Sequence, residues 1–369
     1  MSVSKRALCL LLLAGLRVAH GDSSQPLFLR KLDENAARAV AETKGQTQDA
    51  AGYGKLNGDQ GFLFAHFSVG GSQDLELLID TGSWGLTLNP GKYKPGANPH
   101  KAGGFSVGSG TFDHNVVGSW PRFVILQASG VEYRDVVTYN GAVPPIAVRQ
   151  QAVGSMTKPN KALYPHDGVI GFAGPYPNDP KTDATFISNL CKQGALMSCR
   201  FGIALRTDQT GQLYYGAIAV DILATDIVIV PTRGSWYISR LTSLTVNGKT
   251  IQADIDVSVD SGTSVIYGPL EKVNDLFNAA GVQVVRSASG ITGYYDCRSP
   301  PKIGFALSGT TFEIAPEALA LAKDGNNCTA SVKGTNAFGP WWILGQPFFQ
   351  GRYIDHDVTG HKIGFANLK

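Results

Sequence analysis

The sequence lacks the features of membrane, metal-binding and nucleic-acid-binding proteins. Its longest apolar run, residues 7–15, is shorter than the roughly 20 residues that span a bilayer. No Cys-x-x-Cys or His-Glu-x-x-His pattern is present, so we expect neither a metal nor a cofactor. Residues 1–50 hold seven of the 32 Lys and Arg and five of the 29 Asp and Glu, which leaves 25 bases against 24 acids. A nucleic-acid partner is therefore not expected.

The first 21 residues have the pattern of a secretory signal peptide. Lys5 and Arg6 precede the apolar run, and small residues around Gly21 suit cleavage after that position. We therefore expect a secreted, extracellular or vacuolar protein without a membrane anchor.

Residues 22–50 differ in composition from the rest of the chain. They are rich in Ala, Gln and charged residues, with a short helix predicted from Leu32 to Thr43. We interpret them as a propeptide, and a disordered extension is the alternative. The remainder has short β-branched and aromatic runs separated by Gly and Pro, which favours a mostly β protein.

Cysteine is scarce, and its number fits an oxidising compartment. Four cysteines remain once Cys9 leaves with the signal, and an even number can pair completely. We expect pairing within each half of the chain, with the longer loop contributing roughly 3 to 4 kcal/mol. The expected pairs are Cys191 with Cys199 and Cys297 with Cys328. The sequon that begins at Asn327 predicts a glycosylation site.

An internal repeat is the strongest signal in the sequence. An apolar run that ends in Asp, Thr or Ser, Gly, and Ser or Thr occurs twice, with its aspartate at Asp80 and at Asp260. Each copy is followed at a similar distance by two aliphatic residues and a glycine, Val169-Ile170-Gly171 and Ile343-Leu344-Gly345. Two related lobes, each with one aspartate, are the simplest architecture.

Two such aspartates can hydrolyse an amide if the lobes face each other. Carboxylates about 3 Å apart cannot both ionise, so Asp80 and Asp260 would share one proton. The pair could hold a water, with the ionised member as general base and the protonated member as general acid.

The residues after each aspartate are expected to support this pair. A hydroxyl three positions on can donate to the aspartate of its own lobe, and a hydroxyl one position on can link the lobes. The intervening glycine permits a tight turn. These residues are Thr81, Gly82 and Ser83 in the first motif and Ser261, Gly262 and Thr263 in the second.

The motifs resemble those of the pepsin-like aspartic peptidases, in particular a secreted fungal-type member, across residues 55–369. Residues 163–175 are similar to the family's Asp-Gly-Ile-Leu-Gly segment, residues 235–251 to its tryptophan-containing strand and hairpin, and residues 341–367 to its closing region. All occur in the family's order.

The resemblance implies a bilobal β fold with pseudo-twofold symmetry, an N-terminal lobe over residues 51–200 and a C-terminal lobe over residues 201–369. It implies an endopeptidase that binds protein or peptide substrates between the lobes, with Asp80 and Asp260 as catalytic residues. It further implies the Cys297–Cys328 disulfide and a zymogen inhibited by its own basic propeptide, for which Arg30, Lys31 and Lys44 are candidate contacts. We expect a monomer.

The sequence departs from the family at the flap, a hairpin that covers the cleft and carries a tyrosine before Gly-x-Gly. One alignment places Val107, before Gly108, at the tyrosine position, and another places Phe123 there. Neither side chain has a phenol. In the family, the tryptophan that bonds this tyrosine would stand near position 87, which is Thr87 here. The tryptophan of this stretch is Trp84 instead.

A further departure is Gln346, where the family commonly has aspartate after Ile-Leu-Gly. The loss of one carboxylate should make the surroundings of Asp260 less negative. We expect activity in acid.

Three alternatives compete with the peptidase prediction. The stretch Gly-Phe-Ser-Val-Gly offers Ser106 as a serine-hydrolase nucleophile, but that motif needs a strand-to-helix turn and no helical period follows. Paired carboxylates also occur in glycosidases, where the repeated Asp-Thr/Ser-Gly turn has no role. A pepsin-like protein that binds a peptide or a partner protein without cleaving it is the third, supported by the altered flap. His166, beside Asp167, is interpreted as a surface or hydrogen-bonded residue.

Overall fold

The computed structural model describes residues 52–59, 61–113, 122–174, 185–234 and 236–369, and only the backbone of residues 107–113 and 122–126. The predicted signal peptide and propeptide lie outside the described residues. Strands predominate in the described part, so the predicted mostly β class is confirmed.

Along the described residues, strands follow one another and are interrupted by four helices and one 3-10 turn, Val220–Ile222. The strands are β1 (Gly52–Asp59), β2 (Phe62–Val69), β3 (Ser72–Asp80), β4 (Leu86–Leu88), β5 (His100–Asp113), β6 (Arg122–Tyr139), β7 (Ile146–Lys158), β8 (Gly168–Gly171), β9 (Arg200–Leu205), β10 (Thr210–Tyr215), β11 (Val228–Pro231), β12 (Ser239–Val246), β13 (Lys249–Val259), β14 (Ile266–Gly268), β15 (Gln283–Ser287), β16 (Gly290–Asp296), β17 (Ile303–Leu307), β18 (Thr310–Glu313), β19 (Ala320–Asp324), β20 (Asn327–Gly334), β21 (Trp342–Leu344), β22 (Arg352–Asp357) and β23 (Lys362–Asn367). The helices are α1 (Phe186–Lys192), α2 (Leu270–Ala280), α3 (Pro316–Leu319) and α4 (Gln346–Phe349).

The strands form two large sheets, consistent with the predicted bilobal fold. The first sheet has 13 strands in the order β11-β23-β22-β9-β10-β1-β2-β3-β8-β4-β7-β6-β5. The second has 10 strands, in the order β15-β16-β20-β14-β21-β13-β12-β17-β18, with β19 paired to β20. The second sheet is built from residues 239–344 alone, whereas β22 and β23 return to the first sheet.

The same strand arrangement surrounds each aspartate motif. In the first sheet β3 pairs in parallel with β8, and β8 pairs antiparallel with β4. In the second sheet β13 pairs in parallel with β21, and β21 pairs antiparallel with β14. The internal repeat of the sequence therefore corresponds to a repeated three-strand unit.

Alternation along β3 explains how a charged residue can end a mostly buried strand. Leu77 and Ile79 point into the main hydrophobic core. Leu78 points the other way, into a separate small cluster, and Asp80 shares its face because successive side chains alternate. The strand thus buries one face in the core and presents the aspartate on the other.

Both expected cysteine pairs are present as disulfide bonds, Cys191–Cys199 and Cys297–Cys328. The first joins the last turn of α1 to the residue before β9, and the second joins the residue after β16 to β20. No helix among the described residues is long and apolar enough to cross a bilayer.

Candidate active site

The turns that follow β3 and β13 lie directly against each other. A methyl group placed on Gly82 would lie 2.8 Å from Oδ1 of Asp260, and one on Gly262 would lie 2.4 Å from Oδ1 of Asp80. Each glycine therefore packs against the aspartate of the opposite turn. The structure brings Asp80 and Asp260 together, 180 residues apart in sequence.

Space, rather than backbone freedom, requires these two glycines. Neither Gly82 nor Gly262 has a positive φ, although a tight turn was the reason inferred from the sequence. A Cβ at either position would fall within 3.0 Å of the facing carboxyl group, closer than real contacts allow. The Asp-Thr/Ser-Gly motif thus carries glycine because the opposite carboxylate occupies the space that a side chain would need.

Four hydrogen bonds cross between the turns through two buried hydroxyls. Thr81 Oγ1 donates to the carbonyl of Val259 at 3.0 Å and accepts from the Ser261 amide at 3.0 Å. Ser261 Oγ donates to the carbonyl of Ile79 at 2.7 Å and accepts from the Thr81 amide at 3.1 Å. Both side chains are fully buried. This reciprocal arrangement holds the two aspartate turns in a fixed relation.

Each aspartate also receives a backbone hydrogen bond from its own turn. The Gly82 amide donates to Oδ1 of Asp80 at 2.8 Å, and the Gly262 amide donates to Oδ1 of Asp260 at 2.9 Å. The nearly equal geometry on both sides is what a pseudo-twofold axis through the pair would produce.

The hydroxyls at the third position break this symmetry. Thr263 Oγ1 donates to Oδ2 of Asp260 at 2.6 Å, as expected. Ser83 Oγ is buried but makes no hydrogen bond of normal geometry, although it lies near enough to lower the pKa of Asp80. Asp260 is therefore the better stabilised anion, and the geometry favours the shared proton on Asp80.

Burial raises the pKa of Asp80 well above its ordinary value, and the negative charge of Asp260 raises it further. The Ser83 hydroxyl and the Gly82 amide act in the opposite direction, but they do not offset the first two causes. Asp80 thus keeps a proton at pH values where an exposed aspartate is ionised, as required of one member of a carboxylic pair.

Two tryptophans flank the first aspartate turn. Trp236 Nε1 donates to the carbonyl of Gly82 at 2.9 Å, and its ring lies 5.3 Å from that of Trp84. From the sequence alone, Trp236 has no expected role beyond its place in a family-like segment. This hydrogen bond connects the segment just before β12, which enters the second sheet, with the turn that carries Asp80.

The predicted flap corresponds to one long hairpin, β5 with β6. Val107 and Gly108 lie in β5, opposite Ala128 and Gln127, and Phe123 lies in β6. Both alignments of the flap therefore fall on the same hairpin, and which residue occupies the tyrosine position stays a prediction.

The serine-hydrolase alternative does not fit this hairpin. Ser106 is paired with Ser129 in the middle of β5 and is not at a turn between a strand and a helix. His166 is exposed and hydrogen-bonded, with Nε2 3.0 Å from Asp59 and Nδ1 2.9 Å from Glu76.

Gln346 is fully buried beside the second motif. Its main-chain amide donates to the carbonyl of Thr263 at 2.8 Å, and the Thr263 hydroxyl in turn donates to Asp260. Thr87, where the family's tryptophan was expected, is buried in β4 opposite Val169. Asn327 is exposed at the start of β20, where a glycan could be accommodated.

No group of three or more His, Cys, Asp or Glu side chains that could hold a metal ion occurs in the part of the chain that the structure describes.

Comparisons with known proteins agree with this geometry. The family model described as eukaryotic aspartyl protease matches residues 63–368. Secreted aspartyl protease 1 of Malassezia globosa is 25% identical over 318 residues, which cover 83% of this chain and 74% of that protein. Gastricsin of Oryctolagus cuniculus is 29% identical over 330 residues, which cover 83% of this chain and 81% of gastricsin.

Pepsin A of Callithrix jacchus is a further relative, 28% identical over 316 residues, which cover 80% of this chain and 78% of that pepsin. The family match covers both aspartate turns and nearly all of both sheets. This chain therefore belongs to the eukaryotic aspartyl protease family, the pepsin-like aspartic endopeptidases.

Proposed function

We propose that this protein hydrolyses internal peptide bonds of polypeptides in acid, using a water held between Asp80 and Asp260. The observation that carries the proposal is the mutual packing of the two turns, in which each glycine lies against the opposite carboxyl group. The reaction needs one ionised and one protonated carboxyl group at the same pH.

The asymmetry of the pair supports separate roles for its members. Asp260, with hydrogen bonds from Thr263 and from the Gly262 amide, is the member that ionises and acts as general base toward the water. Asp80, whose pKa is raised by burial and by its neighbour, keeps the proton and acts as general acid toward the peptide carbonyl.

The direction of the pKa shift also sets the alkaline limit of activity. Activity is lost as the pH rises through the raised pKa of Asp80, because the pair then loses its shared proton.

The domain organisation and processing belong to the same proposal. The secretory pattern of residues 1–21, and the name of the Malassezia globosa relative, support export from the cell. Residues 22–50 would form a propeptide that occupies the cleft until acid releases it. The N-terminal lobe would comprise residues 51–200 and the C-terminal lobe residues 201–369.

Cleavage of a denatured protein after acid treatment tests the proposal. Replacement of Asp80 by asparagine removes one acid–base group and should lower the rate of cleavage by about 10²- to 10⁴-fold. The matched control is Asp324→Asn, an exposed aspartate of β19, which should retain full activity. Cleavage fragments are measured by mass spectrometry.

Two outcomes would contradict the proposed peptidase activity. Cleavage that survives Asp80→Asn would remove the aspartate pair from the mechanism. Tight binding of a statine peptide, which mimics the tetrahedral transition state, without any cleavage by the wild-type protein would favour the alternative of a pepsin-like protein that only binds.

A further inference from the structure

A tyrosine of this chain lies on the same wall as Asp80. Tyr164 stands shortly before β8, and its ring packs with Phe62 against a small buried cluster outside the main core. The cluster consists of Phe64, Leu78 and Val169. Because Leu78 points away from the main core, the Tyr164 ring covers the face of β3 that also bears the aspartate.

The strand register places this ring next to Asp80. Leu78 pairs with Val169 and Asp80 pairs with Gly171, so the cluster and the aspartate are successive positions on one face of the parallel pair β3–β8. Two residues along a strand span about 7 Å, which is within the reach of a phenol side chain.

The electrostatics agree with this placement. Burial raises the pKa of Tyr164 to about 12, and the charge of Asp80 contributes in the same direction. The phenol therefore stays protonated throughout the acid range and remains a hydrogen-bond donor there.

The backbone of this tyrosine is held by one buried amide side chain. Asn89 Oδ1 accepts from the amides of Leu163 and Tyr164 at 3.0 and 3.2 Å. Asn89 Nδ2 donates to the carbonyls of Tyr164 and His166, both at 2.9 Å. Asn89 is only 2% exposed, so these four bonds are shielded from water.

His166, two residues after Tyr164, is also fixed by side-chain contacts. His166 is flanked by Glu76 at 2.9 Å and Asp59 at 3.0 Å, and its ring lies edge-on to Phe64 at 4.3 Å. Glu76 shares the face of β3 with Asp80, so this clamp lies at the far end of the same wall. The position of Tyr164 is thus set before any ligand arrives, which lowers the entropic cost of using it.

The hydroxyl of Tyr164 is free to bind a ligand. Within the described residues, the hydrogen bonds of Tyr164 are made by its main chain, and its phenol oxygen has no partner. A donor with a fixed ring, an apolar surround and an unoccupied hydroxyl is typical of a ligand-binding residue.

We propose that Tyr164 is a substrate-binding residue, whose hydroxyl donates a hydrogen bond to the peptide beside Asp80 and whose ring forms the wall of an apolar side-chain pocket. The inference rests on the proposed function. It assigns a phenol to the cleft of a chain whose two candidate flap positions, Val107 and Phe123, have none.

Tyr164→Phe tests the hydroxyl alone, because the ring and its packing are kept. We expect kcat/KM for a peptide substrate to fall roughly 5- to 10-fold, and the Kd of a statine peptide to rise by a similar factor, as for one lost hydrogen bond. The melting temperature should not change, since no protein group loses a partner.

Tyr139→Phe is the matched control. Tyr139 is buried in the core of the first sheet, and its hydroxyl donates to the carbonyl of Lys55 at 3.0 Å. Its removal should lower the melting temperature while leaving kcat/KM and the statine Kd at wild-type values. The two variants thus separate a ligand contact from a structural hydroxyl.

Tyr164→Ala tests whether the ring forms the wall of the proposed apolar pocket. Removal of the ring should shift cleavage toward peptides with larger apolar side chains at the adjoining position, as read from a peptide mixture by mass spectrometry. If this variant does not fold, Tyr164→Phe decides the matter alone.

Wild-type kcat/KM and statine Kd in Tyr164→Phe would overturn the inference while leaving the peptidase proposal intact. The reverse case is also distinguishable. If the wild-type protein binds the statine peptide without cleaving substrate, and Tyr164→Phe weakens that binding, the tyrosine assignment stands and the proposed catalysis fails. Absence of both binding and cleavage in the wild type would overturn both.

Discussion

Replacement of Asp355 by asparagine should make the folded protein relatively more stable as the pH rises. Asp355 lies in β22 and is 1% exposed. Its carboxyl group faces Arg200, with Nη2 at 3.4 Å from Oδ2, and the Tyr353 hydroxyl, which donates to Oδ1 at 3.4 Å. Asp357 shares Arg200, at 3.0 Å.

These surroundings favour the protonated form of Asp355. Burial is the largest cause and the charge of Asp357 the next in the same direction, so the pKa of Asp355 rises to about 7 in spite of Arg200 and the Tyr353 hydroxyl. In the unfolded chain an aspartate has a pKa of about 3.9.

The sign and size of the effect follow from this difference. Below about pH 4 Asp355 is protonated in both states, and the stability that it contributes is complete. Between about pH 4 and pH 7 the unfolded chain releases its proton and the folded protein does not, so the free energy of unfolding falls. At about 1.4 kcal/mol per pKa unit, the total loss is on the order of 4 kcal/mol. Asparagine cannot titrate, so Asp355→Asn removes this loss.

The assay is urea unfolding of wild type and Asp355→Asn at pH 4, 5, 6, 7 and 8. Asp80 also has a raised pKa, but it is present in both proteins and cancels in their difference. Asp324→Asn, which changes an exposed carboxylate, is the control and should show no trend. The difference in free energy of unfolding between wild type and Asp355→Asn should change with pH. A change of less than about 1 kcal/mol from pH 4 to pH 8, or a change in the opposite direction, would refute the reasoning.

Three further substitutions test the site and its supports. Gly262→Ala should abolish activity and lower the melting temperature, because its methyl group would lie 2.4 Å from Oδ1 of Asp80; an active, stable variant would contradict the close approach of the turns. Ser261→Ala removes two buried hydrogen bonds and should lower the free energy of unfolding by about 2–5 kcal/mol in urea titrations; a loss under about 0.5 kcal/mol would exclude a tie between the turns. Cys297→Ser opens the disulfide with Cys328, across a separation of 31 residues, and should cost roughly 3 to 4 kcal/mol; reduced and oxidised wild type of equal stability would contradict it.

The paired aspartates could be predicted from the sequence because the information is local and occurs twice. Each motif is a strand end followed by the same hydroxyl and glycine pattern, so Asp80, Asp260, Thr81 and Ser261 needed no knowledge of the intervening chain. Duplication also gave the relation between the motifs, since two copies of one unit pack most simply around an axis.

The supporting interactions were less predictable because they depend on rotamers and on space. Ser83 and Thr263 occupy equivalent positions, yet Thr263 alone makes the hydrogen bond to its aspartate, and only the packing around each hydroxyl decides this. The need for Gly82 comes from the opposite carboxylate, which the sequence could suggest only after the two turns had been placed together.

The aromatic side chains around the first aspartate could not be assigned from the sequence. Trp236 and Tyr164 are distant in sequence from Asp80 and reach it only through the sheet pairing. A signal was available for Tyr164, since an aromatic residue three positions before the Asp-Gly of the β8 segment stands close to the start of a strand that neighbours β3.

Because β22 and β23 belong to the first sheet, that sheet can be completed only after the C-terminal end of the chain has been synthesised. Both strands lie within the sheet, where β22 pairs with β9, and β23 is the partner of β11. At about 5–20 residues per second, the roughly 130–150 residues that separate β9 from β22, and β11 from β23, take roughly 7–30 s to synthesise. During that time β9 and β11 have exposed edges that other chains could bind. Because β21, the parallel partner of β13, ends at Leu344, the second sheet beside Asp260 is also completed only after most of the chain has been synthesised. We therefore expect the proposed catalytic pair to reach its final geometry late in synthesis.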